Sequence, residues 1–191
     1  MRGILLLAVL LLSACQHVSV PPPVVGEIQD LRSGQILTPQ ELLERLAEPT
    51  RLIVGEQHDN SDHHQLQLWL LQALGERRPQ GSLLLEMLTP DQQPRVDGVR
   101  GASTLPADLP GALNWQSGWD WNLYGPIVRF VLAEPYPLLA ANLDNVEVRT
   151  FYRNPPTLSG SRSNAPSVKE ELLAQINDSH CGLLPLSLIH I

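Results

Sequence analysis

Residues 51–58, Arg-Leu-Ile-Val-Gly-Glu-Gln-His, decide the expected fold: an apolar run breaks at Gly55 straight into a carboxylate and an imidazole. A short continuous apolar run suits a strand covered on both faces, as in a parallel sheet. Two further runs repeat the pattern, Ser82–Glu86 (SLLLE) and Pro137–Ala141 (PLLAA). Helical segments lie between them. Asp62–Arg78, capped by Ser61 or Asp62, places Leu66, Trp69, Leu70, Ala73 and Leu74 on one face. Pro90 to about Asp97 and Leu123–Glu134 supply two more helices, and Gly98–Trp121, rich in Gly, Pro and Trp, reads as an insert of short helices and loops. The expected class is α/β, a mostly parallel β-sheet flanked by helices, with a smaller helical insert.

Outward from this centre, Glu27–Gln29 and Gln35–Leu37 read as a hairpin around Ser33-Gly34. Thr38-Pro39 opens a helix carrying Leu42, Leu43 and Leu46, and Glu48-Pro49 stops it. Ser167–Ile176 is one more helix. The first residues read as an export signal: Met1-Arg2, an apolar Ile4–Leu12, then Leu12-Ser13-Ala14-Cys15. A transmembrane helix needs roughly 20 apolar residues, and this run is shorter. The Leu-Ser-Ala-Cys ending resembles a lipobox, so residues 1–14 are expected to leave and Cys15 to be the lipid attachment point. Gln16 in place of an Asp points to the outer membrane. Residues 15–25, with three consecutive prolines, read as an extended tether at about 3.1 Å per residue.

The body that follows has globular composition, 43% hydrophobic and 17% charged, enough for one core. The formal charge of −7 and the scattered basic residues exclude a nucleic-acid binder of the usual kind. With Cys15 acylated, Cys181 has no partner in the chain, and no disulfide framework is expected. Leu186–Ile191 (LSLIHI) reads as the translation of a transposon end used in sequencing-library preparation. Residues 26–185 are therefore taken as the domain, continued naturally past Pro185, and His190 is excluded from any site.

Ligands of an open parallel sheet bind outside the carboxyl ends of its strands. Glu56 and His58 stand at that end of the first run, Glu86 at the second and Asn142 at the third. His63 and His64 occupy a helix's first turn, about 100° apart, so at most one faces the site. His180 follows the last helix and is a further candidate. Two carboxylates beside a histidine favour a metal or acid–base site, an ion pair with Arg51 or Arg149 being the structural alternative. Trp115–Tyr124 (WQSGWDWNLY) packs three tryptophans and a tyrosine into ten residues. It is either core packing or an aromatic wall for a flat apolar ligand, with a phenol suited to haem iron at hand.

Leu52–His64 (LIVGEQHDNSDHH) and Gly118-Trp119-Asp120-Trp121 with Tyr124 together resemble the ChaN family of haem-binding lipoproteins. Leu85-Glu86-Met87 with Asp91-Gln92-Gln93, Ala140-Ala141-Asn142-Leu143, and His180-Cys181-Gly182 with Leu184-Pro185 extend the resemblance from about Glu27 to Pro185. It implies a non-enzymatic haem binder of the bacterial envelope, serving haem or iron acquisition. It also implies a homodimer with haem at its interface, held through a tyrosine. Tyr124 is the expected ligand, with Tyr136 and Tyr152 as the other choices. The family is similar to the Tiki superfamily, which includes metal-dependent peptidases and erythromycin esterase-like enzymes marked by two Gly-x-x-His motifs. Gly55–His58 supplies the first; Asn177 replaces the glycine of the second. The alternative reading is thus a hydrolase holding a divalent metal ion on Glu56, His58, Glu86 and His180.

Overall fold

The computed structural model describes residues 21–23, 26–155, 160–162 and 164–179. Cys15, His180, Cys181, the expected signal segment and Leu186–Ile191 lie outside them. The described chain forms two compact units. The first comprises the described residues through Leu84 together with Arg95–Leu139; the second comprises Leu85–Pro94 with those from Ala140 onward.

The first unit opens with the expected hairpin, β1 (Ile28–Gln29) antiparallel to β2 (Ile36–Leu37). Gly34, at φ +73°, permits the turn that Asp30 and Gln35 close by backbone hydrogen bonds. Helix α1 (Pro39–Ala47) starts at a full capping box: Thr38 accepts from the Glu41 amide, and Glu41 accepts from the Thr38 amide. Helix α2 (Ser61–Gly75) is capped by Asn60, whose side chain accepts from the Asp62 amide. The cap thus sits one residue ahead of Ser61 and two ahead of Asp62, because Asn60 is the last residue in an extended conformation. Leu43 of α1 packs with Trp69, Leu70, Ala73 and Leu74 of α2 to form a core cluster.

After α3 (Gln93–Arg100) and the four-residue α4 (Leu109–Ala112), the chain turns at Asn114, φ +51°. Asparagine tolerates this left-handed conformation, which brings Trp115 N–H back to the Pro110 carbonyl. Helix α5 (Trp121–Ala133) begins at Asp120, which accepts from the Asn122 amide. Its buried face, Tyr124, Ile127, Val128, Val131 and Leu132, packs on α2. Burying a side chain such as Ile127 or Val128 contributes roughly 1.5–3 kcal/mol.

Strands β3 (Leu83–Leu85) and β4 (Leu138–Ala140) pair. Leu83 N–H donates to Pro137, and Ala141 N–H donates to Leu85. Both chains climb in the same direction, so the pair is parallel. The second unit contains the 3₁₀ turn Pro90–Gln92, α6 (Asn145–Arg153) and α7 (Pro166–Ser179). No helix among the described residues is long and apolar enough to cross a membrane.

The mixed α/β class stands, but the mostly parallel sheet does not appear among the described residues: they hold two two-stranded sheets. Residues 51–57 carry no ladder. Ile53 is fully exposed and Leu84 is 58% exposed. A continuous apolar run suggests burial on both faces, yet no described strand pairs with it, and a strand without ladder partners is not a strand.

Candidate functional site

The site belongs to the first unit and is built from three pieces of backbone. The extended segment through Gly55 supplies Glu56 and His58. The first two turns of α2 supply His64 and Gln67, one turn apart and therefore on one face. The start of α5 supplies Tyr124, and the loop ahead of it supplies Trp119.

Glu56 is the hub. The Tyr124 hydroxyl and the His58 Nδ1, at 3.0 Å, both meet its Oε1. Gln67 Nε2 donates to Oε2, and His64 Nδ1 lies 3.6 Å from the same oxygen. The carboxylate side chain is only 8% exposed. Burial pushes its pKa upward, but hydrogen bonds from Tyr124, His58 and Gln67, with the attraction of His64, outweigh that and hold it below the usual glutamate value. A buried carboxylate so surrounded stays ionised, and its partners satisfy it.

The histidines divide by role. His63 Nδ1 accepts from the Gln57 amide at 2.8 Å and fastens the loop. His64 is buried, edge-on to Tyr124 at 4.5 Å. Its Nε2 donates to the His58 carbonyl at 3.0 Å, leaving Nδ1 beside Glu56 without a hydrogen-bond partner among the described residues. His58 is the outward member, its side chain 52% exposed. Its ring is held by Glu56 on one side and stands edge-on to Trp119, with ring centroids 4.9 Å apart. Trp119 and Trp115 also flank Tyr124, each with its centroid 6.0 Å away, so the aromatic cluster both packs and walls the site.

Of the expected site residues, the structure brings Glu56, His58, His64 and Tyr124 together. Glu86 is exposed in the second unit, where Asn142 also lies, its N–H donating to the Leu88 carbonyl. Glu86 therefore carries no burial cost that needs a site to explain it. Glu56 is held by hydrogen bonds and histidines rather than by Arg51 or Arg149. Among the described residues no group of three His, Cys, Asp or Glu side chains is placed to hold a metal ion. Tyr124 is 1% exposed, its hydroxyl turned inward onto Glu56. Its place in the apolar face of α5 buries the ring. Tyr136 is also buried, whereas Tyr152 on α6 is 76% exposed. Gln67 escaped the sequence reading; its signal was the three-residue spacing from His64.

A half-exposed imidazole backed by a carboxylate and flanked by an indole suits an iron that needs one further donor. A macrocycle already supplies four nitrogens to haem iron, so the residues present fit that group.

Comparison with known proteins places this site in a family. The family model described as haem-binding uptake, Tiki superfamily, ChaN matches residues 42–185. The chain belongs to that ChaN family. A solved structure of ChaN of Campylobacter jejuni, described as binding haem cofacially, is 27% identical with a TM-score of 0.73. The match covers 84% of this chain and 65% of that one, so this chain spans just under two thirds of its length. No curated protein matches by sequence.

Proposed function

We propose that this protein is a lipid-anchored envelope protein that binds haem and serves haem or iron acquisition, without catalysing a reaction. The observation that carries the reading is the family match over residues 42–185, which contains the whole Glu56–His58–Trp119 site. The likeness to a protein described as binding haem cofacially supports it. Cys15 is the lipid attachment point, and the outer membrane is the destination. A homodimer around haem is part of the same reading. The apolar Val146 and Phe151 and the neighbouring Tyr152 stand exposed on α6, a helix that buries none of its own residues, and they support it. The phenolate ligand expected at Tyr124 requires His58 and Trp119 to move off a buried ring; Tyr152 requires no such rearrangement.

Haemin titration of the purified mature protein tests the reading. Saturable uptake with a Soret band distinct from free haemin is expected, with a sedimentation shift to a dimer. Failure of the mature protein to retain haemin on gel filtration overturns the function.

A further inference from the structure

We propose that the groove between α1 and α2 is a seat for the chain's own proline segment, so that Pro21–Pro23 acts as a strap on the domain rather than as part of a free spacer. A cavity of about 270 Å³ in the first unit carries the proposal. It is lined by Pro21 and Pro22 together with Pro39 and Leu43 of α1 and Trp69 and Ala73 of α2. Pro23, the next residue, is half-buried.

The helices form a groove of fixed width. Trp69 and Ala73 lie four residues apart and therefore on one stripe of α2, where they join Leu43 of α1 in the core cluster. Arg77, just past α2, braces the two helices: it donates to Gln40 Oε1 of α1 at 2.8 Å and to the Ala73 carbonyl at 3.1 Å. The capping box at Thr38 and Glu41 fixes the start of α1, where Pro39 stands. An aromatic ring in a preformed apolar groove is the usual receptor for an extended proline run.

The occupant suits the groove as well. Proline has no N–H, so seating it leaves no backbone donor unsatisfied. A proline run is already extended and stiff, and it loses little freedom on docking. Pro23 is five positions from Ile28, the first residue of β1, and β2 leads directly into α1. So short a connection gives the chain's own segment a millimolar-scale effective concentration at the groove, ahead of any foreign peptide.

A seated strap changes what the tether does. Residues 15–20 alone remain as free span, about 19 Å when extended, against about 34 Å for residues 15–25. The strap meets α2 around Trp69 and Ala73, whereas His64 stands nine residues before Ala73, about 13 Å further along the helix. The carboxyl half of α2 is thereby turned towards the anchor, with Glu56 and His58 at the other end. This consequence rests on Cys15 as the lipid attachment point; the seat itself does not.

Nuclear magnetic resonance of the full mature chain carrying Cys15→Ser, which holds it in solution, tests the seat. The order parameter at Pro22 Cα is expected near the rigid-backbone value of about 0.85, and Arg77→Ala, which leaves the tether sequence intact, should lower it below about 0.6. The double variant Pro21→Ser, Pro22→Ser should shift one of the four indole N–H resonances, the one that Trp69→Phe removes, and leave those of Trp115, Trp119 and Trp121 in place. A wild-type Pro22 already below about 0.6 overturns the proposal. So does a Trp69 resonance that does not move, or a shift of all four resonances together. A Pro22 order parameter that rises with protein concentration gives the groove to the tether of a second copy and overturns the strap. Loss of the lipid anchor in a separate membrane fractionation would remove only the stated orientation towards the bilayer.

Discussion

At the scale of single residues, chemistry here follows exposure more closely than residue type. Glu56, His58 and His64 were legible as candidates because they crowd one short motif. Their separate roles were not, since sequence does not say which ring is buried. The tyrosines divide in the same way. Tyr136 is buried with a hydroxyl that has no hydrogen-bond partner among the described residues, and its pKa is pushed up to about 12, first by burial and then by the negative charge of Glu134. Its folded value lies above the ordinary 10.0, so its contribution to stability is complete below about pH 10 and is lost as pH rises towards 12. Tyr136→Phe should therefore lessen the decline in stability between about pH 10 and about pH 12 in urea melts. At neutral pH it should be neutral or stabilising by up to about 1 kcal/mol, because an unsatisfied buried hydroxyl is removed. Destabilisation by more than that would mean the hydroxyl has a partner after all.

At the scale of elements, helices were easier to read than strands because their signals are local. Thr38-Pro39 with Glu41 announces α1, and the Leu66, Trp69, Leu70, Ala73, Leu74 periodicity announces α2. Strand pairing depends on remote partners, so Arg51–Val54 resembles a buried strand but has no ladder partner among the described residues, and all of it except half-buried Leu52 is exposed. Helix α5 holds a detail that only packing shows. The ring of Trp121 lies against Gly125, and a Cβ there would meet Trp121 Cε2 at 2.9 Å. Gly125→Ala must displace the indole or bend the helix, although alanine is the better helix former. We expect a loss of about 1–3 kcal/mol, with a changed near-ultraviolet circular dichroism from the tryptophan cluster. A stabilised variant would show that the indole moves freely.

At the scale of the whole molecule, the proposed lipid anchor at Cys15 and the proposed haem uptake can be tested separately. Cys15→Ser should move the protein from the membrane fraction to the soluble fraction while leaving haemin uptake by the mature domain intact. Continued sedimentation with membranes would remove the lipid anchor from the account. The sequence by itself determined the family, the helices and the residues crowded around Gly55, because motifs, caps and helical periodicity are encoded within a few neighbouring positions. Only the tertiary structure decided that Glu56 is the shared acceptor, that Tyr124 is sealed and that His58 is open. It also decided that the Leu52-Ile53-Val54 run, which suggested a strand, has no ladder among the described residues. Burial, hydrogen-bond closure and strand pairing depend on groups far apart in the chain: Tyr124 reaches Glu56 across 68 positions, and no local pattern records that meeting.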